Sequence, residues 1–356
     1  MNSSNDIEYP KKILDYMEGF LVSKTLFAAC ELGVFDFLLV SEQSTSSADI
    51  AKGLKTSVDG MERLLMACVG LQLLHADIQN GEGAEWRSLL LHSVVPYAYY
   101  DSLFEVTKIL LNIPQDISNS ESMRLRSDEE MITFMKLMNS VWNICGKDVV
   151  TAFDLSPFQS IYDLGGCSGA VAKQCVSAYP ESMVTIFDLP KVVQMAKEHF
   201  VSLDERRISF HEGDFFRDPI PASDLYILAR ILHDWTDEKC LELLIKVNKA
   251  CKPDIQGLVR SNKLIVVDYS QILNAHKHFL AFLEQLGGGL LLIEALLNED
   301  KSGPLTTQLY SLNMLVQTEG RERSPSEYIH LMEAAGFTDI QVKRTGKLYD
   351  AVLGRK

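Results

Sequence analysis

The chain lacks a basic excess, a Cys-x-x-Cys pair and any apolar run long enough to span a bilayer, and each absence removes a class of function. Lys and Arg number 34 against 48 Asp and Glu, a formal charge of -14, and no block of basic residues is there to follow a phosphate backbone. Nucleic acid and anionic membrane are therefore not expected partners. The seven cysteines (30, 68, 145, 167, 175, 240 and 251) are odd in number and scattered, so neither a disulfide framework nor a metal site is expected. The opening MNSSNDIEYPKK lacks the basic start and apolar core of a secretory signal, and no apolar stretch reaches the ~18 residues of a membrane helix. A cytoplasmic location is expected. What remains is 47% hydrophobic and 23% charged over 356 residues, the composition of a packed protein with room for two domains.

From Ile13 to Cys30 apolar residues recur at helical spacing, until Gly33 breaks the pattern. Helices follow over Ser47–Leu54 and Val58–Leu74, joined by a tight turn, and a hairpin is expected around Asn80-Gly-Glu-Gly83. The outline is that of a winged helix. Its second helix carries Asp59, Glu62 and Arg63 and presents no basic face, which favours a structural or dimerising role over DNA binding. Residues 86–122 give no clear element. From Asp128 to about Phe153 a long helix resumes, with Met131, Phe134, Met135, Met138, Val141 and Trp142 on one side, a stripe that reads as core packing.

The remainder alternates short apolar runs with amphipathic segments, the pattern of a doubly wound α/β domain. Strands are expected over 160–164, 183–188, 208–212, 225–229, 290–294, 340–345 and 351–354, with helices beginning near Gly169, Pro190, Asp237, Leu305 and Pro325. The division falls between a domain at 1–122 and one at 123–356, the second interrupted by residues 254–286. Two runs, Leu264-Ile-Val-Val-Asp268 and Leu290-Leu-Leu-Ile-Glu294, could fill the fifth strand position. The second is favoured because Glu294 then ends at the crevice.

Asp163-Leu-Gly165-Gly166-Cys167-Ser-Gly169 puts an acid and three glycines where the first strand meets its helix, and ligands of open α/β sheets bind at such carboxyl ends. A dinucleotide would want glycine at Cys167 and would be repelled by Asp163. S-adenosylmethionine carries no phosphate, and its ammonium group suits an acid there. Asp188 closes the second strand, where a carboxylate can accept both hydroxyls of a ribose, and Gly213-Asp214-Phe215 closes the third, offering a carboxylate and a ring to an adenine. The fourth strand runs into Arg230-Ile-Leu-His233-Asp234-Trp235. Imidazole, with a pKa near ~6.5, is a natural base for a phenol-like hydroxyl. Either Glu294 or Glu322 could fix its tautomer.

Taken in order, Asp-Leu-Gly-Gly-x-x-Gly at 163, Phe187-Asp-Leu-Pro190, Glu212-Gly-Asp-Phe-Phe216, Ala229-Arg-Ile-Leu-His-Asp-Trp235 and Gly320-Arg-Glu-Arg323 resemble the class I S-adenosylmethionine-dependent small-molecule O-methyltransferases. The likeness is nearest to their animal hydroxyindole-methylating branch. The resemblance implies a class I, Rossmann-like methyltransferase domain preceded by a mainly helical winged-helix dimerisation domain, and hence a homodimer. It implies that Trp142, Asp188, Gly213, Asp214, Phe215 and Arg230 contact S-adenosylmethionine beside Asp163, Gly165 and Gly166. His233 would be the base, with Glu294 and Glu322, and Asp234, Asn313 and Gln317 would meet the substrate. Asn313 and Gln317 are four apart, hence on one helical face. The chain departs from the family at Cys167, where a glycine is usual and a thiol would crowd the cofactor, at 86–122 with Leu125, and at the 254–286 insert. These departures leave open a weakly active or non-catalytic dimerising form, and a different phenolic substrate.

Overall fold

A computed structural model describes residues 8–40, 45–78, 84–88, 127–202, 204–252 and 287–356. The chain forms two compact units, one of Met1–Ser118 with Leu296–Ser324, the other of Asn119–Ala295 with Pro325–Lys356. No helix among the described residues is long and apolar enough to cross a membrane.

The first unit begins with α1 (Glu8–Glu31), α2 (Val34–Val40), β1 (Thr45–Ser46), α3 (Ser47–Leu54), α4 (Val58–Gly70), β2 (Leu74–Ile78) and β3 (Ala84–Ser88). Ser46 caps α3 by accepting the Asp49 N–H, and Ser57 caps α4 by accepting that of Gly60, so each serine satisfies an orphan donor of the first turn. The strands pair antiparallel in the order β1-β3-β2, which places the expected wing beside the two helices. Helix α4 stops at Gly70 rather than at Leu74. Gln72 turns the chain at φ 60°, and Leu74 starts β2 with its side chain in the core beside Ile50, Met61 and Leu65.

The second unit opens on α5 (Asp128–Val150), whose N-terminus is fixed by a capping box in which Ser127 and Glu130 satisfy each other's backbone N–H. Met131 and Met135 are fully buried against Val192, Met195 and Ala196, as the apolar stripe requires. Then β4 (Ser160–Leu164), α6 (Ala170–Ala178), β5 (Met183–Asp188), α7 (Pro190–His199), β6 (Ile208–Glu212), β7 (Leu225–Ala229), α8 (Asp237–Ala250) and β8 (Gly289–Glu294) follow. The chain returns to the first unit for α9 (Leu305–Gln317), and closes the second with α10 (Pro325–Ala334), β9 (Thr338–Lys343) and β10 (Asp350–Arg355).

The seven-stranded sheet runs β6-β5-β4-β7-β8-β10-β9, with β10 antiparallel to both neighbours and the others of the β6-to-β8 run parallel. Strand β8 lies between β7, with Ile227 opposite Leu291, and β10, with Val352 opposite Leu292, so 290–294 fills the fifth position. Its residues Leu290–Ile293 are wholly buried, as a strand covered on both faces must be. The rival run 264–268, the rest of the insert, residues 89–122 and Leu125 lie outside the described residues.

One division differs from the expectation of a single boundary at 122. Leu296–Ser324, read as methyltransferase domain, packs with the N-terminal unit, because α9 lies along α4 and Leu312 joins the Ile50–Met61–Leu65 cluster.

Candidate active site

The carboxyl ends of the parallel strands carry the expected acids, and glycines make room for them. Gly165 and Gly169 hold φ of 74° and 72°, which leads β4 tightly into α6. A Cβ on Gly166 would stand 2.7 Å from Asp163 Oδ2, and one on Gly213 2.7 Å from the Phe187 ring. Asp163 is 1% exposed, and among the described residues neither carboxylate oxygen accepts a well-formed hydrogen bond. Burial, reinforced by the nearby Asp188 charge, pushes its carboxyl up to about 7. At the end of β5, Asp188 accepts the Leu189 N–H through Oδ1 at 2.7 Å and the Cys167 N–H through Oδ2 at 2.9 Å. Burial outweighs those two bonds and raises it to about 6. Each oxygen keeps a further lone pair for a ligand hydroxyl.

Beyond β6, Asp214 is turned in by the Phe216 N–H, 3.0 Å from Oδ1, and the Phe215 ring approaches Gly165. A cavity of about 430 Å³ opens at these strand ends, lined among others by Leu189, Pro190, Val192, Gly213 and Asp214. That volume is in the range of small-molecule sites. The acids fit a ligand bearing a cation, a diol and an aromatic base: a buried carboxylate behind a glycine, a carboxylate with a further lone pair on each oxygen, and an acid beside a ring. Cys167, expected from the sequence to crowd the cofactor, packs against the Met131–Met135–Val192 cluster, and Val192 of that cluster also lines the cavity.

Past β7 the chain bends at Arg230, φ 59°, whose N–H returns to the Ile293 carbonyl. The guanidinium then binds in three directions. Nη1 meets Glu294 Oε2 at 3.2 Å, Nη2 meets His233 Nδ1 at 3.0 Å, and the group lies 5.0 Å over the Tyr349 ring. Guanidinium only donates, so Nδ1 accepts and the imidazole proton sits on Nε2, which donates to the Arg230 carbonyl at 3.1 Å. Asp234 Oδ1 stands 3.5 Å from Nε2. Glu294, fully buried, accepts the N–H groups of Ile231 and Leu232 at 3.2 and 3.0 Å. It thus fixes the backbone that carries His233.

Tyr349 is the residue that sequence reading passed over. Its ring also packs against Trp142, centroids 5.1 Å apart and tilted by 48°, so one buried ring joins two residues expected at the cofactor. The remaining expected residues belong to the first unit. There Gln317 Nε2 donates to Asn313 Oδ1 at 3.0 Å, and Glu322 is buried.

A seven-stranded sheet with a single reversed strand, a glycine turn after its first strand and acids closing the next two defines a Rossmann-like methyltransferase. Residues 14–87 match the O-methyltransferase dimerisation domain, and residues 117–277 and 268–338 match the O-methyltransferase domain. The chain belongs to this O-methyltransferase family. It is 49% identical over 380 aligned residues to acetylserotonin O-methyltransferase of Gallus gallus, and 42% identical over 379 to that of Homo sapiens, covering 100% of both chains in each case. Among solved structures, human N-acetylserotonin methyltransferase in complex with SAM is 41% identical over 100% of this chain and 99% of its own, with a TM-score of 0.58.

Proposed function

We propose that the chain transfers the methyl group of S-adenosylmethionine to the 5-hydroxyl of N-acetylserotonin, giving melatonin and S-adenosylhomocysteine. The observation that carries this reading is full-length identity of 49% to a relative of that name, in a chain that keeps the acids, the glycine turn and the Arg230–His233–Glu294 set. S-adenosylmethionine supplies an electrophilic methyl on a sulfonium. Asp163 would balance the positive charge, Asp188 would hold the ribose, and Asp214 with Phe215 the adenine, beside Trp142 and Arg230.

His233 takes the hydroxyl proton. The lone pair of its neutral imidazole is on Nδ1, where it accepts from the Arg230 guanidinium, so that group must withdraw for His233 to act as base. Glu294 keeps the His233 backbone in place meanwhile, through the Ile231 and Leu232 N–H groups. Most of the rate gain then comes from alignment of hydroxyl, methyl and sulfur, since methyl transfer offers a protein little other chemistry to assist. Asp234, Asn313 and Gln317 would grip the acetylated indole, with Glu322 supporting the base. The family's dimerisation domain supports a homodimer. The test is calorimetry with S-adenosylhomocysteine followed by methyl transfer to N-acetylserotonin and to a flavonoid phenol. Saturable binding with preference for N-acetylserotonin is expected. Binding without transfer to either would indicate a non-catalytic form, and preference for the flavonoid a different substrate.

A further inference from the structure

We infer that Arg63, in the N-terminal helix pair, is a positioning residue for the acceptor substrate, because it clamps the helix that carries Asn313 and Gln317. The inference rests on the reading of those two amides as substrate ligands. Arg63 is the arginine of α4, the helix that would enter a DNA groove in a winged-helix regulator. Here it is turned inward, its side chain 12% exposed. Nη1 donates to the Ser311 carbonyl at 3.2 Å and to the Gly320 carbonyl at 2.9 Å, while Nη2 donates to Asp59 Oδ2 at 2.7 Å. Ser311 lies within α9 and Gly320 just past its end. One guanidinium therefore spans the last turns of the helix and fixes where the chain leaves it, two residues before Glu322. A planar fork can meet two carbonyls and a carboxylate at once, which a lysine ammonium cannot do in that geometry.

The glycines of α4 make the approach close. A Cβ on Gly60 would lie 3.2 Å from Leu315 Cδ2, and one on Gly70 2.1 Å from Gln308 Oε1. The early residue of α4 thus meets the late part of α9 and the reverse, so the helices run antiparallel. Lys301 and Glu62, 3.8 Å apart, add a charged contact just before α9. Asn313 and Gln317 each follow a residue of the α4-facing set, Ser311 and Leu315, by two positions. At about 100° per residue they project from nearly the opposite side of α9. Substitution of Arg63 consequently reaches the amides only through the placement of the helix.

The experiment compares wild type, Arg63→Ala, Arg63→Lys and Asp59→Asn in the full chain. It reads acceptor KM and kcat, S-adenosylhomocysteine affinity, and amide hydrogen exchange over 305–320. Arg63→Ala should raise acceptor KM by at least about fivefold, leave S-adenosylhomocysteine affinity within about twofold, and speed exchange over 305–320 but not over 160–235. Arg63→Lys and Asp59→Asn should fall between, and they carry the comparison if the alanine variant does not fold. Folded variants with wild-type KM and exchange would overturn the inference, as would a parallel loss of S-adenosylhomocysteine affinity. Should wild type fail to methylate N-acetylserotonin while binding S-adenosylhomocysteine, the acceptor reading falls, and the exchange rates alone decide whether Arg63 holds α9.

Discussion

The Cys167 N–H donates to Asp188 Oδ2 at 2.9 Å, with Cys167 itself held at φ 49°. A side chain in this left-handed region costs about 1 kcal/mol relative to glycine. The side chain recovers part of that by packing against the Met131–Met135–Val192 cluster. Cys167→Gly should therefore leave S-adenosylhomocysteine affinity within about threefold and shift stability by no more than about 1 kcal/mol in either direction. Tenfold tighter binding by titration would place the sulfur in the cofactor's way after all.

Asp163 and Asp188 give the free protein a pH dependence of definite sign. Both are raised above the ordinary carboxyl value of 3.8, to about 7 and about 6, chiefly by burial. The folded state then holds more protons than the unfolded one from about pH 4 to pH 7, and stability falls as pH rises through that window. Three units at about 1.4 kcal/mol each set an upper bound of about 4 kcal/mol for Asp163. Denaturation midpoints measured at pH 5 to 8 should decline for wild type and decline less for Asp163→Asn. Parallel curves for the two proteins would show that Asp163 titrates normally.

The strands at 160–164, 183–188 and 208–212 could be read from sequence because each is closed by an acid or a glycine turn, and 225–229 because it is a short apolar run; all four stand at those bounds. The sixth was expected at 340–345 and lies at Thr338–Lys343. It is an edge strand with one mostly exposed face, and its limits are set by pairing with β10, whose register shifts between Leu353 and Arg355. Periodicity named α9 as a helix but not its partner, since Arg63 meets carbonyls 248 and 257 positions away. Tyr349 was invisible for the same reason: its role comes from Trp142 and Arg230, which only the folded sheet brings to it.

His233→Gln isolates the base. Glutamine offers a carbonyl to the Arg230 guanidinium in place of Nδ1, so the Arg230–Glu294 pair should stay in place. The expected loss is about 10²- to 10⁴-fold in kcat with little change in S-adenosylhomocysteine affinity. A variant that keeps more than about a tenth of the wild-type rate would remove His233 from that role.

Tyr349 can be separated into ring and hydroxyl. Tyr349→Phe keeps the surface against Trp142 and the π-face 5.0 Å from the Arg230 guanidinium, whereas Tyr349→Leu loses both. A cation–π contact contributes about 0.5 to 2 kcal/mol, so the leucine variant should bind S-adenosylhomocysteine about 2- to 30-fold more weakly and the phenylalanine variant much like wild type. Equal affinity in all three proteins by calorimetry would make the ring a bystander.

Lys252 and Gly288, which flank the 254–286 insert, are hydrogen-bonded to each other. Gly288 donates its N–H to the Lys252 carbonyl at 3.1 Å, and a Cβ on Gly288 would come within 2.8 Å of the Lys252 nitrogen, so the two backbones need a glycine there. The Lys252 N–H in turn donates to the Ser223 carbonyl, and the Gly289 N–H to that of Asp224, which ties both flanks to the start of β7. Excision of 254–286 would leave Lys252-Pro253-Gly287-Gly288 as four consecutive residues. Proline at the second position and glycine at the third are the preference of a type II turn, and the bond such a turn closes, from the fourth N–H to the first carbonyl, is the one present. The sheet therefore needs nothing from the insert to connect α8 with β8. Shortening the closed loop by about four halvings, at about 0.6 kcal/mol each, should stabilise the protein by about 2 kcal/mol. The deletion protein is expected to fold, to melt at or above the wild-type temperature, and to retain or gain methyl transfer. An insoluble or unfolded product, together with unfolding of the full chain by Val266→Asp, would mean that the insert supplies a buried strand and that β8 does not hold the fifth position.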